Sequence, residues 1–221
     1  MSSMTSKKEF LKNFKLYAVT DLRSEDTAAI ILKKIDDAYR GGADIVQLRA
    51  KKLSDMQILS LGKRIRGLAD KYGKLFFVND RADLAIACGA DGVHVGQDDL
   101  PISEIRKINA DLLIGKSTHS IEQALEAQKE CPDYLGVGPV FATPTKPEYQ
   151  PAGLEFVKQA SEKITLPFVA IGGIDLTNIE QVLKAGAGCV AVVRAIFFEK
   201  DVYESSRNLR KKIEIFSHVS C

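Results

Sequence analysis

The sequence predicts an α/β chain folded as a single (βα)8 barrel of parallel strands, and three observations predict it. Short β-branched or aromatic runs of buried-strand length recur along the chain, stretches of helical period lie between several of them, and the helix exits resemble one another. Gly42-Ala43-Asp44, Gly89-Ala90-Asp91 and Gly186-Ala187-Gly188 are spaced by multiples of roughly 24 residues, the length of a strand-plus-helix unit. About eight such units fill the chain, which favours closure into a barrel over an open doubly wound sheet. The first strand is followed by Asp21-Leu22-Arg23-Ser24, not by the Gly-x-Gly-x-x-Gly fingerprint of dinucleotide-binding sheets.

Taken in order, residues 1–14 read as an N-terminal extension, partly frayed, because they carry lysines but no continuous apolar region. The barrel then occupies 15–221. Its strands are expected at Leu16 to Thr20, Ile45 to Leu48, Leu75 to Val78, Gly92 to Val95, Leu112 to Gly115, Tyr134 to Gly138, Phe168 to Ile171 and Cys189 to Val193. A helix with Ile58, Leu61, Ile65 and Leu68 on one face follows the N-cap candidate Ser54. Glycine at each helix exit supplies the left-handed conformation that ends a helix cheaply.

With 221 residues and 45% hydrophobic content the chain can bury one sizeable core. A formal net charge of +2 gives no reason to expect a nucleic-acid face or an anionic lipid partner, so any anion site must be local. Cys88, Cys131, Cys189 and Cys221 are far apart and form no C-x-x-C pair, which reads as reduced thiols in a cytoplasmic protein without a zinc site. No segment reads as a signal peptide or a membrane span. Whether the chain forms a homo-oligomer is left open.

In a barrel the reactive face is the ring of loops after the strands, so polar residues that close an apolar run are the candidates. The second strand ends in Gln47-Leu48-Arg49-Ala50-Lys51, and period-two alternation sends Gln47, Arg49 and Lys51 to one side. An isolated surface cation needs no explanation, but unpaired cations on a covered parallel strand are costly, and an anion such as diphosphate would offset that cost. The third strand ends in Asn79-Asp80-Arg81 and the fourth is followed by Gly96-Gln97-Asp98-Asp99. Asp80 and one of Asp98 or Asp99 should therefore share a rim. Two carboxylates about 4 Å apart repel by roughly 4 kcal/mol at an effective dielectric of 20, a repulsion that magnesium together with a bound diphosphate would relieve. The structural alternative makes Asp99 a helix N-cap ahead of Pro101 and pairs Asp80 with Arg81.

Ser117-Thr118-His119-Ser120 closes the fifth strand, with Ser117 able to bind a ligand and Ser120 able to cap the helix that starts at Ile121. After the sixth strand, Thr143, Thr145 and Lys146 stand in a proline-bracketed loop whose stiffness lowers the entropy lost on binding, if it is more than a surface turn. Gly172-Gly173 follows the seventh strand and Val193-Arg194 ends the eighth, the two places where such barrels usually bind phosphate. His94 reads as a satisfied structural histidine, His119 sits beside a cap and His218 belongs to the tail, so no acid-base dyad is invoked.

These residues carry a resemblance. From about Leu16 to Ile196 the chain resembles bacterial thiamine-phosphate synthases through Gln-Leu-Arg-x-Lys, Asn-Asp-Arg, Gly-Val-His-x-Gly-Gln-x-Asp-Leu-Pro, Ser-Thr-His-Ser, Gly-x-Gly-Pro-x-Phe-x-Thr-x-Thr-Lys and Ala-Ile-Gly-Gly-Ile. The resemblance implies that Gln47, Arg49, Lys51, Asn79, Ser117 and Lys146 hold an aminopyrimidine methyl diphosphate, and that Arg49, Lys51, Ser117 and Lys146 act in catalysis. It further implies that Asp80 and Asp99 ligate Mg2+, Asp98 falling on a variable position, while Thr143, Thr145, Gly173 and the backbone of Val193 and Arg194 hold a thiazole phosphate. The implied reaction expels diphosphate from the pyrimidine's methylene carbon, and the thiazole nitrogen captures the carbocation-like centre.

Lys116 and Arg194 stand where many or some relatives differ, which leaves the role of the Arg194 side chain open. Three rivals are a thiazole tautomerase of the same barrel family, a phosphosugar epimerase or isomerase, and a non-catalytic regulator that binds a phosphate ligand. The first lacks much of the diphosphate and metal apparatus, the second needs an evident acid-base pair, and the carboxylates argue against the third.

Overall fold

The computed structural model describes residues 4–23, 25–145 and 150–219. Eight parallel strands close into a barrel in chain order: β1 Leu16–Val19, β2 Ile45–Leu48, β3 Leu75–Asn79, β4 Gly92–Val95, β5 Leu113–Thr118, β6 Tyr134–Val137, β7 Phe168–Ile171 and β8 Val190–Val192. Their register runs without a break from Tyr17↔Ile45 to Tyr17↔Ala191, so the sheet has no edge among these strands. The helices after the first seven strands are α2 Ala28–Arg40, α3 Asp55–Tyr72, α4 Ala82–Cys88, α5 Ile102–Ile108, α6 Ile121–Lys129, α7 Gly153–Lys163 and α8 Ile179–Lys184. The short α9 Arg194–Phe197 and the long α10 Val202–Val219 follow β8, and α10 packs beside α2 and α8 to complete the outer ring. The single (βα)8 barrel is therefore the observed architecture.

Alternation sorts each strand into two populations. Leu16, Ala18, Val46, Leu48, Phe76 and Val78 face outward into one large cluster with the helices, whereas Tyr17, Ile45, Phe77, Leu113, Tyr134 and Val169 fill the barrel interior. Local chemistry agrees with the pattern. Ser54 caps α3 in a reciprocal capping box with Gln57, Ser120 caps α6, and Gly42, Gly89 and Gly186 adopt positive φ where helices end.

The end of the barrel where the strands begin is closed by features the sequence did not announce. Residues 4–13, which the sequence offered as a frayed extension, form helix α1 Met4–Asn13; Leu11 and the following Phe14 are buried within the interior cluster. The physical reason is that the barrel's open floor would otherwise expose Tyr17, Leu75 and Leu113 to water. The aspartates of the helix exits complete the floor. Asp44 accepts from the backbone N–H of Lys15 and Leu16, Asp91 from Phe76 and Asp133 from Ile114. Lys7 and Lys8 of α1 reach Asp91 and Asp133 at 2.6 and 3.1 Å.

Candidate active site

At the opposite end, where the strands finish, a cavity of about 740 Å³ opens. Its floor is polar because the last inward position of several strands is polar: Gln47 on β2, Asn79 on β3, His94 on β4 and Ser117 on β5 all line it. Arg49 and Lys51 continue the inward parity of β2 beyond the strand and also line the cavity. So do Asp80 and Asp99 from neighbouring loops, Thr143 and Thr145 after β6, Gly173 after β7, and Val193 and Arg194 after β8. Lys146, also expected here, lies outside the described residues.

The two cations of β2 differ in what holds them. Arg49 is not unpaired, as alternation alone suggested: its guanidinium donates to Asp21 at 3.0 Å, and its backbone N–H to Thr20 Oγ1 at 2.8 Å. Asp21 comes from the loop after β1, a partnership between strands that spacing within β2 cannot reveal. Lys51 is exposed and has no ion-pair partner among the described residues. A fixed guanidinium beside a free ammonium makes a site where one donor is oriented in advance and the other can follow a ligand.

Asp80 sits in the left-handed region at φ 62, unusual for a residue other than glycine, with its backbone N–H held by the His94 carbonyl at 2.8 Å. Arg81 beside it binds Asp55 and Asp83. Asp99 does not cap a helix; the N-cap of α5 is Pro101, and an Asp99 carboxylate oxygen accepts from the Gly96 N–H at 2.6 Å. Asp98 is exposed at the cavity edge. Among the described residues no cluster of three or more His, Cys, Asp or Glu is arranged to hold a metal ion.

The far side of the mouth is built by β6 to β8. The Gly138–Pro139 peptide is cis, and the next residues bind the end of β7, Val140 N–H to the Ile171 carbonyl and Phe141 N–H to the Gly172 carbonyl, each at 2.9 Å. Gly172 and Gly173 both have positive φ. A Cβ at Gly173 would lie 2.7 Å from the Ala142 carbonyl oxygen, so glycine is what lets the two loops meet. Thr145 Oγ1 is buried and makes no hydrogen bond among the described residues, so a polar group can still be received there. The Arg194 guanidinium lies over the Phe198 ring at 4.5 Å, with Arg23 over the same ring at 5.3 Å.

Sequence reasoning missed Tyr17, Gln97 and Phe198, which line the cavity, and Tyr134, which is buried in the barrel interior. His94 is satisfied, as expected, by one residue of the cavity and one of the barrel interior: Nε2 meets Ser117 Oγ and Nδ1 meets Tyr134 Oη, each at 2.8 Å. The shared inward parity of Tyr17, Gln47, His94 and Ser117 is the signal that could have grouped them.

A family model described as thiamine monophosphate synthase matches residues 16–196. The thiamine-phosphate synthase of Thermus thermophilus is 48% identical over 200 residues, covering 90% of this chain and 97% of that protein. That of Pyrococcus abyssi is 43% identical over 205 residues, covering 93% and 97%. Among solved structures, thiamine phosphate pyrophosphorylase from Pyrococcus furiosus superposes with a TM-score of 0.86 at 39% identity, covering 93% of this chain and 98% of that one. A 3-hexulose-6-phosphate synthase superposes with a TM-score of 0.67 at 24% identity, a likeness of fold alone. With its closed barrel, its polar mouth and relatives matched along nearly their whole length, the chain belongs to the thiamine monophosphate synthase family, a family of transferases.

Proposed function

We propose that the protein joins an aminopyrimidine methyl diphosphate to a thiazole phosphate, releasing inorganic diphosphate and forming thiamine phosphate, with Mg2+ as cofactor. The observation that carries this reading is the convergence of Arg49, Lys51, Asn79, Asp80, Asp99 and Ser117 on one cavity whose opposite wall holds Thr143, Thr145, Gly173, Val193 and Arg194. One wall suits the diphosphate and the other the thiazole phosphate. Placement after the seventh and eighth strands, with paired glycines, supports the second assignment.

The donor set fits magnesium. Two carboxylates, with no cluster of three or more His, Cys, Asp or Glu among the described residues, suit this ion when substrate phosphate oxygens and water complete its shell. Asp80 and Asp99 would hold it, and when bound it would neutralise charge on the diphosphate. The reaction breaks the bond between the methylene carbon and the diphosphate oxygen, the electron pair leaving with diphosphate. The thiazole nitrogen then gives its lone pair to that carbon. Negative charge grows on the departing oxygens, so Arg49, Lys51 and Lys146 stabilise the transition state more than the ground state. Arg49, already oriented by Asp21, needs little reorganisation to do so.

Purified protein incubated with magnesium and both substrates should release inorganic diphosphate and form thiamine phosphate in equal amounts. Isomerisation of the thiazole without coupling would instead assign the chain to the tautomerase activity.

A further inference from the structure

Five polar side chains cross the barrel interior in one unbroken line, and Tyr17, Tyr134 and His94 among them have no part in the reaction as described. The Gln47 amide nitrogen donates to Tyr17 Oη at 2.8 Å. The Tyr17 and Tyr134 hydroxyls are 3.0 Å apart, Tyr134 Oη is 2.8 Å from His94 Nδ1, and His94 Nε2 is 2.8 Å from Ser117 Oγ. Both tyrosines are fully buried, and burial raises both phenols far above their ordinary range, so each keeps one proton to give.

Donor bookkeeping fixes the direction of the whole line. An amide nitrogen can only donate, so Tyr17 accepts from Gln47 and points its own proton at Tyr134. Tyr134, having accepted, gives its proton to His94 Nδ1, which must then present a lone pair. The ring proton is left on Nε2 and is donated to Ser117. The serine oxygen is thereby engaged as an acceptor, and its own proton is free to turn into the cavity. In the opposite direction Nε2 would draw that proton inward, and the serine would show a lone pair to an incoming anion.

We propose that Gln47, Tyr17, Tyr134 and His94 form a directional hydrogen-bond chain that turns the Ser117 hydroxyl proton toward the diphosphate, with Tyr17, Tyr134 and His94 as positioning residues. This rests on the reading of Ser117 as a diphosphate ligand given above. Packing keeps the line rigid: the Tyr134 ring meets Phe77 edge-on at 5.7 Å and Phe14 at 6.1 Å, and it lies 5.5 Å from the His94 ring. Gly115 leaves the space that the Tyr134 ring occupies.

The test reads the proton's position directly. The chain contains three histidines, so 15N-histidine NMR with long-range proton correlation can assign the His94 nitrogens. The expected wild-type state is a proton on Nε2 and a bare Nδ1. Gln47→Glu replaces the donor at the far end by an acceptor, reverses each link and should place a proton on Nδ1. Adding Tyr134→Phe, which cuts the line, should make the His94 signals the same whether residue 47 is Gln or Glu. A wild-type proton on Nδ1, or a Gln47→Glu protein whose His94 signals match wild type, overturns the proposal.

Tyr134→Phe alone keeps the ring, and should raise the KM of the pyrimidine diphosphate and the Kd of inorganic diphosphate about tenfold or more, the worth of one hydrogen bond to an anion, while the thiazole phosphate KM holds. Unaltered diphosphate affinity would also overturn it. Wild-type protein that fails to couple the two substrates refutes the proposed function instead, and leaves the NMR result to stand or fall separately.

Discussion

Asp91→Asn should cost the fold about 2–4 kcal/mol and leave turnover untouched. Asp91 is 5% exposed and has three partners at the start of β4: the Phe76 N–H at 2.9 Å, Lys7 at 2.6 Å and the Arg66 guanidinium in a very short contact. Asparagine keeps one carbonyl oxygen at the position that Phe76 and Arg66 now share, so both hydrogen bonds can survive and what Arg66 loses is the opposite charge. Lys7, 29% exposed, can turn to water, which limits its share to about 0–1 kcal/mol. Arg66 dominates the loss. Its side chain is 19% exposed and its buried Nε already lacks an acceptor among the described residues. Burial works against its charge, but hydrogen bonding and attraction from Asp91, with help from Asp70, hold its pKa above the ordinary arginine value. Without Asp91 that support goes, yet a guanidinium is basic enough by itself to stay charged, so Arg66 cannot escape by losing its proton.

Breaking a fully buried pair costs about 3–5 kcal/mol; Arg66 retains the largely exposed Asp70 at 2.9 Å, which lowers its own share to roughly 2–3 kcal/mol. Urea unfolding followed by circular dichroism should show a lower midpoint at unchanged slope. A loss under about 1 kcal/mol would refute the reasoning about the floor. A changed KM in protein that remains folded would refute the separation of floor from mouth.

Two further outcomes follow from the same geometry. Asp99→Asn keeps an oxygen for the Gly96 N–H but loses its charge, so the magnesium concentration for half-maximal turnover should rise roughly tenfold or more with little change in unfolding midpoint. Unchanged magnesium dependence would remove Asp99 from the metal site. Burial pushes the Cys189 thiol up to about 12, against a smaller lowering by Lys15, and burial also raises Cys88, whereas Cys131 is exposed. A raised thiol pKa means less thiolate at a given pH, about one part in 10⁴ for Cys189 at pH 8, so iodoacetamide should mark Cys131 before Cys88, and Cys189 only on unfolding. Peptide mass spectrometry showing Cys189 alkylated as fast as Cys131 in folded protein would contradict this.

Much of the fold was legible because parallel strands covered on both faces must be apolar over their whole length, and the eight runs stand out for that reason. The errors lie where a polar residue interrupts such a run. β5 extends through Thr118, not to Gly115, because Lys116 points outward, 6% exposed, with Glu130 at 3.5 Å. A buried lysine in a strand reads as the strand's end. The rim candidates were legible by the converse rule, since Gln47, Asn79 and Ser117 each close an apolar run at an inward position.

What could not be read depends on closure of the barrel. Tyr17 and Tyr134 look like ordinary core aromatics, and their contact spans 117 residues of sequence. Leu11 and Phe14 gain meaning only when there is a floor to fill. The aspartates after Gly-Ala look like part of a helix exit, whereas Asp44 and Asp91 each serve the backbone of the strand before.

The barrel's central volume is allotted unevenly. Gly92 yields its place to the Phe77 ring and Gly115 to that of Tyr134, because a Cβ at either would collide with the neighbour. Each glycine and its aromatic partner thus behave as one object with a shared volume. A larger residue at 115 is tolerable only if 134 shrinks, and shrinking 134 deletes the hydroxyl that His94 leans on. Related chains that alter either position should therefore alter both, and should carry a different solution for holding Ser117.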